Sequence, residues 1–555
     1  MPEELAGVPG APGAVAGPVR HMTDAVNDLG PAEPPEDPEV ELQAARDALT
    51  EVEMLLEKRS AEATNKDVAE ILSAQAMMAT DPALWDKIAA AVSGGLPATH
   101  AVTQAFESFK TLLEAAGGYM AERAADLDDI RTRVVASLVG SPMPGLPESS
   151  EPFILVAKDL APADTSRLDP SMVLGLVTRE GGPTSHTAII ARSLAIPAVV
   201  SCSGAAGISE GEPVVVDGDR GVVVRSPDPG LLEDVARRAE WMANALRSST
   251  GPGRTSDGHA VGLLANVGGI KDAEVSAADS EGVGLFRTEF LFLDRAEEPS
   301  VDEQEQAYRA VFDAFGERKV VVRTLDAGAD KPLRWLDLGE EMNPALGVRG
   351  VRTQRVRADV LERQLEAVQR AAKASETDVW VMAPMITTVG EAAEFVAMAH
   401  DQGLSRAGVM VEVPALAVCA DDAAEVVDFF SIGTNDLSQY VTAADRTIGA
   451  LSDLLDHWQP ALVRLIRTIT DAARSASIPA SVCGESAGDP LFALVLAGLG
   501  ITSLSMAPAS LPLVRASLAR HTIDDCRRLA ELALTSDDHQ LARSSVAEAA
   551  HLPIR

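Results

Sequence analysis

From about Thr250 to the end of the chain, short apolar segments alternate with amphipathic stretches, and this repeat restricts the fold more than any other feature. The apolar segments have the length of buried strands, and the stretches between them have helical periodicity. The eight candidate strands are VGLLANV, GVGLF, KVVVRT, VWVMAPM, GVMVEV, FFSIGT, PASVCG and TSLSMA. This alternation predicts a parallel (β/α)8 barrel of the TIM type, whose chemistry lies at the carboxyl ends of its strands.

The residues before the barrel have two other patterns. Residues 36–140 carry apolar side chains three or four residues apart, which predicts an all-helical domain. Its first apolar stripe consists of Leu42, Ala45, Leu49, Val52 and Leu56. Residues 1–35 and 141–225 contain short strand-like runs and are expected to form one small α/β domain. Residues 226–250 predict a linker helix, and residues 251–555 the barrel.

The predicted fold class is therefore a multidomain α/β protein. A small α/β domain carries an inserted all-helical domain and is followed by a C-terminal (β/α)8 TIM-type barrel. A chain of 555 residues has room for three or four domains of ordinary size, which agrees with this division.

Several predicted barrel strands lead into charged or reactive side chains. Taken singly, each has an ordinary explanation as a surface ion pair, a solvated carboxylate or a buried structural thiol. Together, they would face one mouth of the barrel. The set comprises Arg287, Arg323, Arg349, Glu412, Asn435, Asp436, Arg446 and Cys483.

The residue types in this set indicate the ligand. Arginines bind phosphate and carboxylate through paired, planar donors, and two carboxylates suit Mg²⁺, which prefers oxygen ligands. The expected ligand is a small anion that carries phosphate. Cys483 is a candidate nucleophile or general acid, and its basic surroundings are expected to favour the thiolate.

The stretch GGPTSHTAIIARS places His186 before an apolar, helix-like run. An imidazole nitrogen is a good nucleophile toward phosphorus, and the free backbone N–H groups of a helix start would stabilise the phosphorylated product. The alternative is a histidine beside a helix cap with no chemistry. No second His or Cys stands nearby at ligand spacing, so a metal site is disfavoured.

Composition restricts the partners and the compartment. The formal net charge of −36 disfavours nucleic acid and anionic membranes, although it agrees equally with simple solubility and with a basic protein partner. No apolar run reaches the length of a membrane span, and the N-terminus lacks the features of a signal peptide. Four scattered cysteines without a CxxC pair fit a reducing compartment. We expect a cytoplasmic protein.

Motifs along nearly the whole chain resemble those of the Enzyme I family, the phosphoenolpyruvate–protein phosphotransferases of the bacterial sugar phosphotransferase system. They are GGPTSHTAIIARSLAIPAVV, GVGLFRTEFLF, RTLDAGADKPL, NPALGVRGVR, VMVEVPA, SIGTNDLSQY, AADR and VCGESAGD. The resemblance implies transfer of a phosphoryl group from phosphoenolpyruvate to a histidine of the chain, and then to a histidine-containing phosphocarrier protein. It further implies Mg²⁺ as cofactor and a homodimer formed through the barrel.

The resemblance also implies roles for single residues. His186 matches the phosphorylated histidine, and Thr165 matches a residue that hydrogen-bonds it. Glu412 and Asp436 match the Mg²⁺ ligands, and Cys483 matches the acid that protonates the enolpyruvate carbon to give pyruvate. The positions that match the phosphoenolpyruvate-binding set are Arg287, Arg323, Lys331, Arg349, Asn435, Asp436 and Arg446.

The inserted helical domain matches the docking site for the phosphocarrier, with ILSAQAMMATDP as the docking helix. Gln75 stands where some relatives have histidine, and Met77 and Met78 are expected to make an adaptable apolar contact. Two departures from the family pattern, Pro183 and Ala329, stand in the loops that carry His186 and Lys331.

The predicted mechanism moves His186 between two partners, with the linker helix as the swivel. Two alternatives remain open from the sequence. One is a dikinase-like enzyme that uses ATP, although the chain has no GxxxxGK[ST] motif and no residues to spare for an ATP-grasp domain. The other is a non-catalytic relative that only docks partners, although the Arg, Glu, Asp and Cys positions are intact.

Overall fold

A computed structural model of the protein describes most of the chain. The described residues are 3–23, 29–62, 66–116, 124–147, 149–160, 168–182, 185–194, 196–293, 295–327, 333–336, 338–339, 341–446 and 448–552. The chain divides into two compact units, Met1–Ala239 and Glu240–Arg555.

The first unit contains an eight-stranded mixed sheet. Its strands are β1 Glu3–Ala6, β2 Val8–Ala11, β3 Ala14–His21, β4 Phe153–Ala157, β5 Val173–Thr178, β6 Ala198–Val200, β7 Pro213–Asp217 and β8 Val222–Arg225. They lie in the order β1-β8-β7-β3-β4-β5-β6-β2. The run β3-β4-β5-β6 is parallel, and the other pairings are antiparallel. Valine-rich β7 and β8 have the β-branched side chains that suit a half-buried pleated surface.

A helical segment is inserted between the neighbouring parallel strands β3 and β4. Its helices are Pro38–Glu62, Lys66–Ala79, Pro82–Ser93, Ala98–Ala116 and Ala124–Val139. Asp81 caps the third helix, because its side chain accepts hydrogen bonds from the backbone N–H groups of Ala83 and Leu84. The predicted stripe is confirmed: Ala45, Leu49, Val52 and Leu56 are buried in the helical core, and Leu42 packs against it.

Helix His186–Ser193 lies on one face of the sheet. Its residue Ala191 is fully buried in an apolar cluster with Leu155 of β4 and Leu176 of β5. Ile190 packs partly against the same cluster, whereas Ile189 is exposed, so one face of this helix rests on the sheet and sets the position of its first residue.

The predicted linker helix is present as Pro229–Ser248, and the boundary between the two compact units falls within it. Within the described ranges, no helix combines the length and the hydropathy that a membrane span requires.

The second unit contains the predicted barrel, and that prediction is confirmed. The strands are β9 Gly262–Val267, β10 Gly282–Arg287, β11 Lys319–Arg323, β12 Asp378–Ala383, β13 Ala407–Val411, β14 Phe430–Ile432, β15 Ala480–Val482 and β16 Ser503–Met506. Each strand pairs in parallel with the next along the chain, and β16 pairs with β9 to close the barrel. All eight candidate segments of the sequence coincide with these strands.

Helices surround the barrel and follow its strands. They are Ile270–Ser276, Val301–Phe315, Gln354–Lys373, Val389–Asp401, Pro414–Val418, Ala420–Ala424, Thr434–Thr442, Pro460–Ala476, Phe492–Leu499, Leu511–Leu518, Ile523–Thr535 and His539–Ala550. Alternate strand residues point to opposite sides, so β10 sends Phe286 to the core shared with the helices and Leu285 to a second cluster inside the barrel. Cys483 belongs to that interior cluster.

Candidate active site

The described members of the predicted barrel set meet in one cavity. The shared cavity is lined by Arg287, Arg323, Arg349, Glu412, Asn435, Asp436, Arg446 and Cys483. Its volume is about 230 Å³. Lys331, which the sequence assigned to the same set, lies outside the described residues.

Barrel topology explains why residues distant in sequence converge here. Arg287 and Arg323 are the last residues of β10 and β11, and Glu412 and Cys483 follow β13 and β15 directly. Asp436 lies in the first turn of the helix that follows β14. The carboxyl ends of parallel strands share one rim, so these side chains surround the same opening.

Two of the arginines form a buried ion-pair network. Arg323 Nη2 lies 2.5 Å from Glu289 Oε1, and Arg323 Nη1 lies 3.1 Å from Asp326 Oδ2. Arg349 Nη2 lies 3.1 Å from the same Asp326 oxygen, and Arg349 Nη1 lies 3.0 Å from Asp436 Oδ1. Burial alone would lower the pKa of both guanidiniums, but the carboxylates around them outweigh it and raise the pKa of each.

Glu289 and Asp326 hold these arginines in place, and neither was predicted from the sequence. Each stands two or three residues after an arginine that ends a strand, and that spacing is the signal that identifies them. Tyr440 was also missed. Its hydroxyl donates to the carbonyl oxygen of Ala345 and accepts from Arg349 Nη1 at 3.4 Å.

Arg287 differs from the other cavity arginines. Its side chain makes no ion pair with any described residue, whereas Arg446 Nη1 lies 3.7 Å from Asp436 Oδ2. Arg287 therefore presents uncommitted N–H donors to the cavity. An anion that enters can bind Arg287 without first displacing a carboxylate.

Glu412 is the most constrained carboxyl group of the site. Its Oε1 accepts a hydrogen bond from the backbone N–H of Met385 at 2.6 Å, while its Oε2 is buried without a hydrogen-bond partner. Met385 has φ of 61°, a left-handed conformation that is rare for a non-glycine residue. Burial, reinforced by the nearby charges of Asp436 and Asp326, raises the pKa of Glu412 to about 8.

These features fit a divalent cation held by few protein ligands. A buried carboxyl oxygen without a donor, beside a second acid, is a site that a cation would stabilise. Across the described ranges, no group of three or more His, Cys, Asp or Glu side chains has metal-binding geometry. A cation at Glu412 and Asp436 must therefore complete its shell with other oxygens, as Mg²⁺ does.

Cys483 is a buried thiol, so the expected thiolate is wrong. Its side chain accepts a hydrogen bond from Ser431 Oγ at 3.3 Å and donates to the carbonyl oxygen of Ile432 at 3.6 Å. Burial raises the pKa of Cys483 to about 11, against the smaller lowering effects of Ser431 and of the Arg323 charge. A neutral thiol can donate a proton, but it is a poor nucleophile.

Gly484 and Asn435 join the ends of β14 and β15. Asn435 Oδ1 accepts a hydrogen bond from the backbone N–H of Glu485 at 3.1 Å. A Cβ atom on Gly484 would lie 1.9 Å from Thr434 Oγ1, so only glycine lets the two strand ends approach this closely. The backbone beside Cys483 is thus held in place by a close steric fit.

His186 lies in the first compact unit and is the first residue of its helix. Ser185 caps this helix, because its Oγ accepts a hydrogen bond from the backbone N–H of Ala188 at 3.3 Å. Thr187 is buried, and its Oγ1 donates to Asp159 Oδ1 at 2.8 Å. The predicted helix start is confirmed, whereas Thr165 and Pro183 lie outside the described residues.

The predicted docking helix has two kinds of side chain. Met77 is 74% exposed, whereas Met78 packs partly against the helical core. Gln75 is fully buried, and its Nε2 donates to Asp126 Oδ1 at 2.8 Å. Of the two methionines, only Met77 therefore offers a freely exposed apolar contact, and Gln75 joins two helices instead of facing a partner.

Comparisons with known proteins agree with this arrangement. Residues 6–123 match the family model described as PEP-utilising enzyme, N-terminal; residues 149–221 match the mobile domain, and residues 243–523 the PEP-binding domain.

Curated relatives match over most of their length. A phosphoenolpyruvate-protein phosphotransferase of Streptomyces coelicolor is 50% identical over 550 residues, covering 98% of this chain and 99% of the relative. A protein of the same name from Haloferax volcanii is 41% identical and covers 86% of this chain and 87% of its own. A third protein of this name, from Bacillus subtilis, is 38% identical, and the match covers 87% of this chain and 89% of the relative.

Proposed function

This chain belongs to the phosphoenolpyruvate–protein phosphotransferase family, and from that premise we propose how its own residues divide the reaction. It is an enzyme of the sugar phosphotransferase system that transfers a phosphoryl group from phosphoenolpyruvate to protein. The observation that carries the residue-level proposal is one cavity at the barrel mouth, in which four arginines, five acidic residues and a thiol meet.

Phosphoenolpyruvate binds in this cavity. Arg287 supplies free donors, and Arg323 and Arg349 add charge that their carboxylate partners hold in position. Arg446 and Asn435 complete the polar wall, and Lys331 is assigned to the same group by its sequence motif. Paired planar donors suit both the phosphate and the carboxylate of this substrate.

An imidazole nitrogen of His186 attacks the phosphorus. The P–O bond to the enol oxygen breaks, its electron pair stays on that oxygen, and an N–P bond forms. The Ser185-capped helix start provides backbone donors for the phosphoimidazole, and Thr165 is assigned as a side-chain partner. Because His186 and the cavity belong to different compact units, the reaction requires them to meet at one stage and separate at another.

Cys483 protonates the methylene carbon of the resulting enolate and gives pyruvate. The raised pKa of its thiol keeps the proton on sulfur at neutral pH until a carbon base is present. This protonation state supports the role of general acid over that of nucleophile.

A divalent metal takes part in this family, and we propose that it is Mg²⁺ held by Glu412 and Asp436. When bound, it neutralises negative charge on the substrate oxygens. The chain's own contribution is the buried Oε2 of Glu412, which the Met385 N–H leaves free by bonding the other oxygen.

The phosphorylated His186 passes its phosphoryl group to a histidine-containing phosphocarrier protein. We propose that this carrier docks on the inserted helices, at the surface that includes exposed Met77. We further propose that the chain forms a homodimer through the barrel and is located in the cytoplasm. We propose no nucleic-acid or membrane partner.

The proposal is tested with the purified chain, Mg²⁺, ³²P-labelled phosphoenolpyruvate and a phosphocarrier protein. Without the carrier, pyruvate should appear in one burst of about one per chain, and with it pyruvate should form continuously while label accumulates on the carrier. His186→Ala should abolish both, and the exposed control His259→Ala neither. Label transfer to the carrier by His186→Ala would refute the assignment. ATP-dependent phosphorylation of pyruvate would instead favour the dikinase-like alternative.

A further inference from the structure

The thiol of Cys483 has a defined hydrogen-bonding environment. Ser431 Oγ donates to Cys483 Sγ at 3.3 Å, and the thiol donates to the carbonyl oxygen of Ile432 at 3.6 Å. Ser431 is fully buried in the middle of β14. In the part of the chain that the structure describes, Ser431 is the only side chain that hydrogen-bonds this sulfur.

Proton transfer changes what the sulfur needs. The S–H bond breaks, the π electron pair of the enolate forms the new C–H bond, and the S–H electron pair stays on sulfur as a thiolate. A buried thiolate is costly unless donors face it, and a hydrogen bond strengthens when its acceptor becomes charged. Ser431 Oγ already faces the sulfur as a donor, so the thiolate needs no new partner; only the S–H bond has to rotate from the carbonyl oxygen of Ile432 toward the enolate carbon.

We infer that Ser431 is a positioning residue for the protonation step: its hydroxyl orients the sulfur of Cys483 and stabilises the thiolate that proton donation leaves behind. This inference rests on the proposed role of Cys483 as the acid. The sulfur then regains its proton from solvent once pyruvate leaves.

The backbone of Cys483 is held separately from its side chain. Asn266 Nδ2 donates to the carbonyl oxygen of Cys483 at 3.1 Å, and Ser505 Oγ donates to Asn266 Oδ1 at 2.6 Å. Loss of the Ser431 hydroxyl therefore leaves the backbone contacts of Cys483 intact. The expected effect is confined to the sulfur.

The chain offers a matched control on the neighbouring strand. Ser481 pairs directly with Ser431 in the register of β14 and β15 and is also buried. Its Oγ donates to the carbonyl oxygen of Phe430 at 3.3 Å and not to the thiol. Ser481→Ala thus removes a buried hydroxyl from the same barrel layer without touching the sulfur.

The test separates phosphoryl transfer from protonation. Full-length Ser431→Ala, Ser481→Ala and Cys483→Ala are given phosphoenolpyruvate that carries deuterium only in the Z position at C3, in tritiated water with Mg²⁺ and the carrier. The configuration of the chiral methyl group of pyruvate reports whether the proton comes from a fixed enzyme group. Initial labelling of His186 by ³²P-phosphoenolpyruvate reports phosphoryl transfer in the same variants. If the alanine variant does not fold, Ser431→Cys replaces the hydroxyl by a weaker donor of similar size.

In Ser431→Ala, the initial rate of His186 labelling should stay within about twofold of that of the unmodified chain. Pyruvate should form at least about tenfold more slowly, and its methyl group should be racemic. Ser481→Ala should keep the labelling rate, the rate of pyruvate formation and the single methyl configuration of the unmodified chain. The inference is overturned if Ser431→Ala keeps a single configuration at the normal rate, or if Ser481→Ala is impaired equally. If Cys483→Ala itself keeps the configuration, the proposed role of Cys483 fails, which is a distinguishable result.

Discussion

Replacing Glu412 by glutamine is expected to stabilise the metal-free protein at neutral pH while abolishing phosphoryl transfer. Glu412 is 1% exposed, and burial together with the Asp436 and Asp326 charges raises its pKa to about 8. Ionising this group inside the folded barrel is therefore unfavourable. Glutamine has nearly the same shape, keeps an oxygen for the Met385 N–H and cannot ionise.

The magnitude follows from the two pKa values. The pKa of Glu412 rises from its ordinary value of 4.5 to about 8 in the folded chain, and each pH unit between them costs about 1.4 kcal/mol. A group with a raised folded pKa contributes its full stability below the unfolded pKa and loses it as pH rises through the folded pKa. Relative to Glu412→Gln, the unmodified chain should lose about 3 kcal/mol by pH 7, about 4 kcal/mol at pH 8 and about 5 kcal/mol well above pH 8.

The assay is urea unfolding in EDTA between pH 4.5 and 8.5. Tryptophan fluorescence reports mainly on the barrel unit, which contains Trp241, Trp335, Trp380 and Trp458 of the five tryptophans in the chain. The stability difference should be near zero at pH 4.5, widen steadily up to about pH 8 and begin to level off above it. The exposed control Glu425→Gln should show no such trend.

A Glu412→Gln variant that is less stable than the unmodified chain at every pH would refute the reasoning. A gain in stability of the same size at every pH would also refute it, because the stability difference must follow the ionisation of Glu412. Mg²⁺ should stabilise the unmodified chain and not the variant. The gain in stability with loss of activity is the trade-off expected where function requires an unfavourably buried charge.

Two further substitutions test the geometry of the cavity. Gly484→Ala brings a Cβ within 1.9 Å of Thr434 Oγ1, so kcat/KM for phosphoenolpyruvate should fall about 100-fold. The circular dichroism spectrum should be unchanged. A fall in kcat/KM of less than about threefold would contradict the close fit. Tyr440→Phe removes a hydroxyl that bonds Arg349 and Ala345, so KM should rise roughly threefold to tenfold with kcat nearly constant. An unchanged KM in steady-state kinetics would remove Tyr440 from substrate positioning.

Much of the barrel and its site was predictable from local sequence pattern. Each strand is a short apolar run, and Arg287, Arg323, Glu412 and Cys483 stand at or directly after the end of one. Once the barrel is inferred, its topology alone places these ends on one rim. No contact between distant residues has to be known for this step.

What could not be predicted depends on distances between loops and on burial. Asp326 bridges Arg323 and Arg349 only because two loops bring all three together, and a carboxylate in a loop is otherwise read as solvated. The protonation of Cys483 was predicted wrongly, because the sequence reveals its basic neighbours but not how completely the sulfur is buried. Burial of Gln75 depends likewise on its contact with Asp126, from another helix.

The most direct test of the central claim is to locate the phosphoryl group after reaction with phosphoenolpyruvate. The chain is incubated with Mg²⁺ and ³²P-phosphoenolpyruvate without a carrier, digested under alkaline conditions, and its peptides are analysed. The label should be acid-labile and base-stable, should lie in the peptide that contains His186, and should be lost in Arg287→Ala, which removes the uncommitted donor of the cavity. Label on any other residue, or none on folded protein with Mg²⁺ present, would contradict the account.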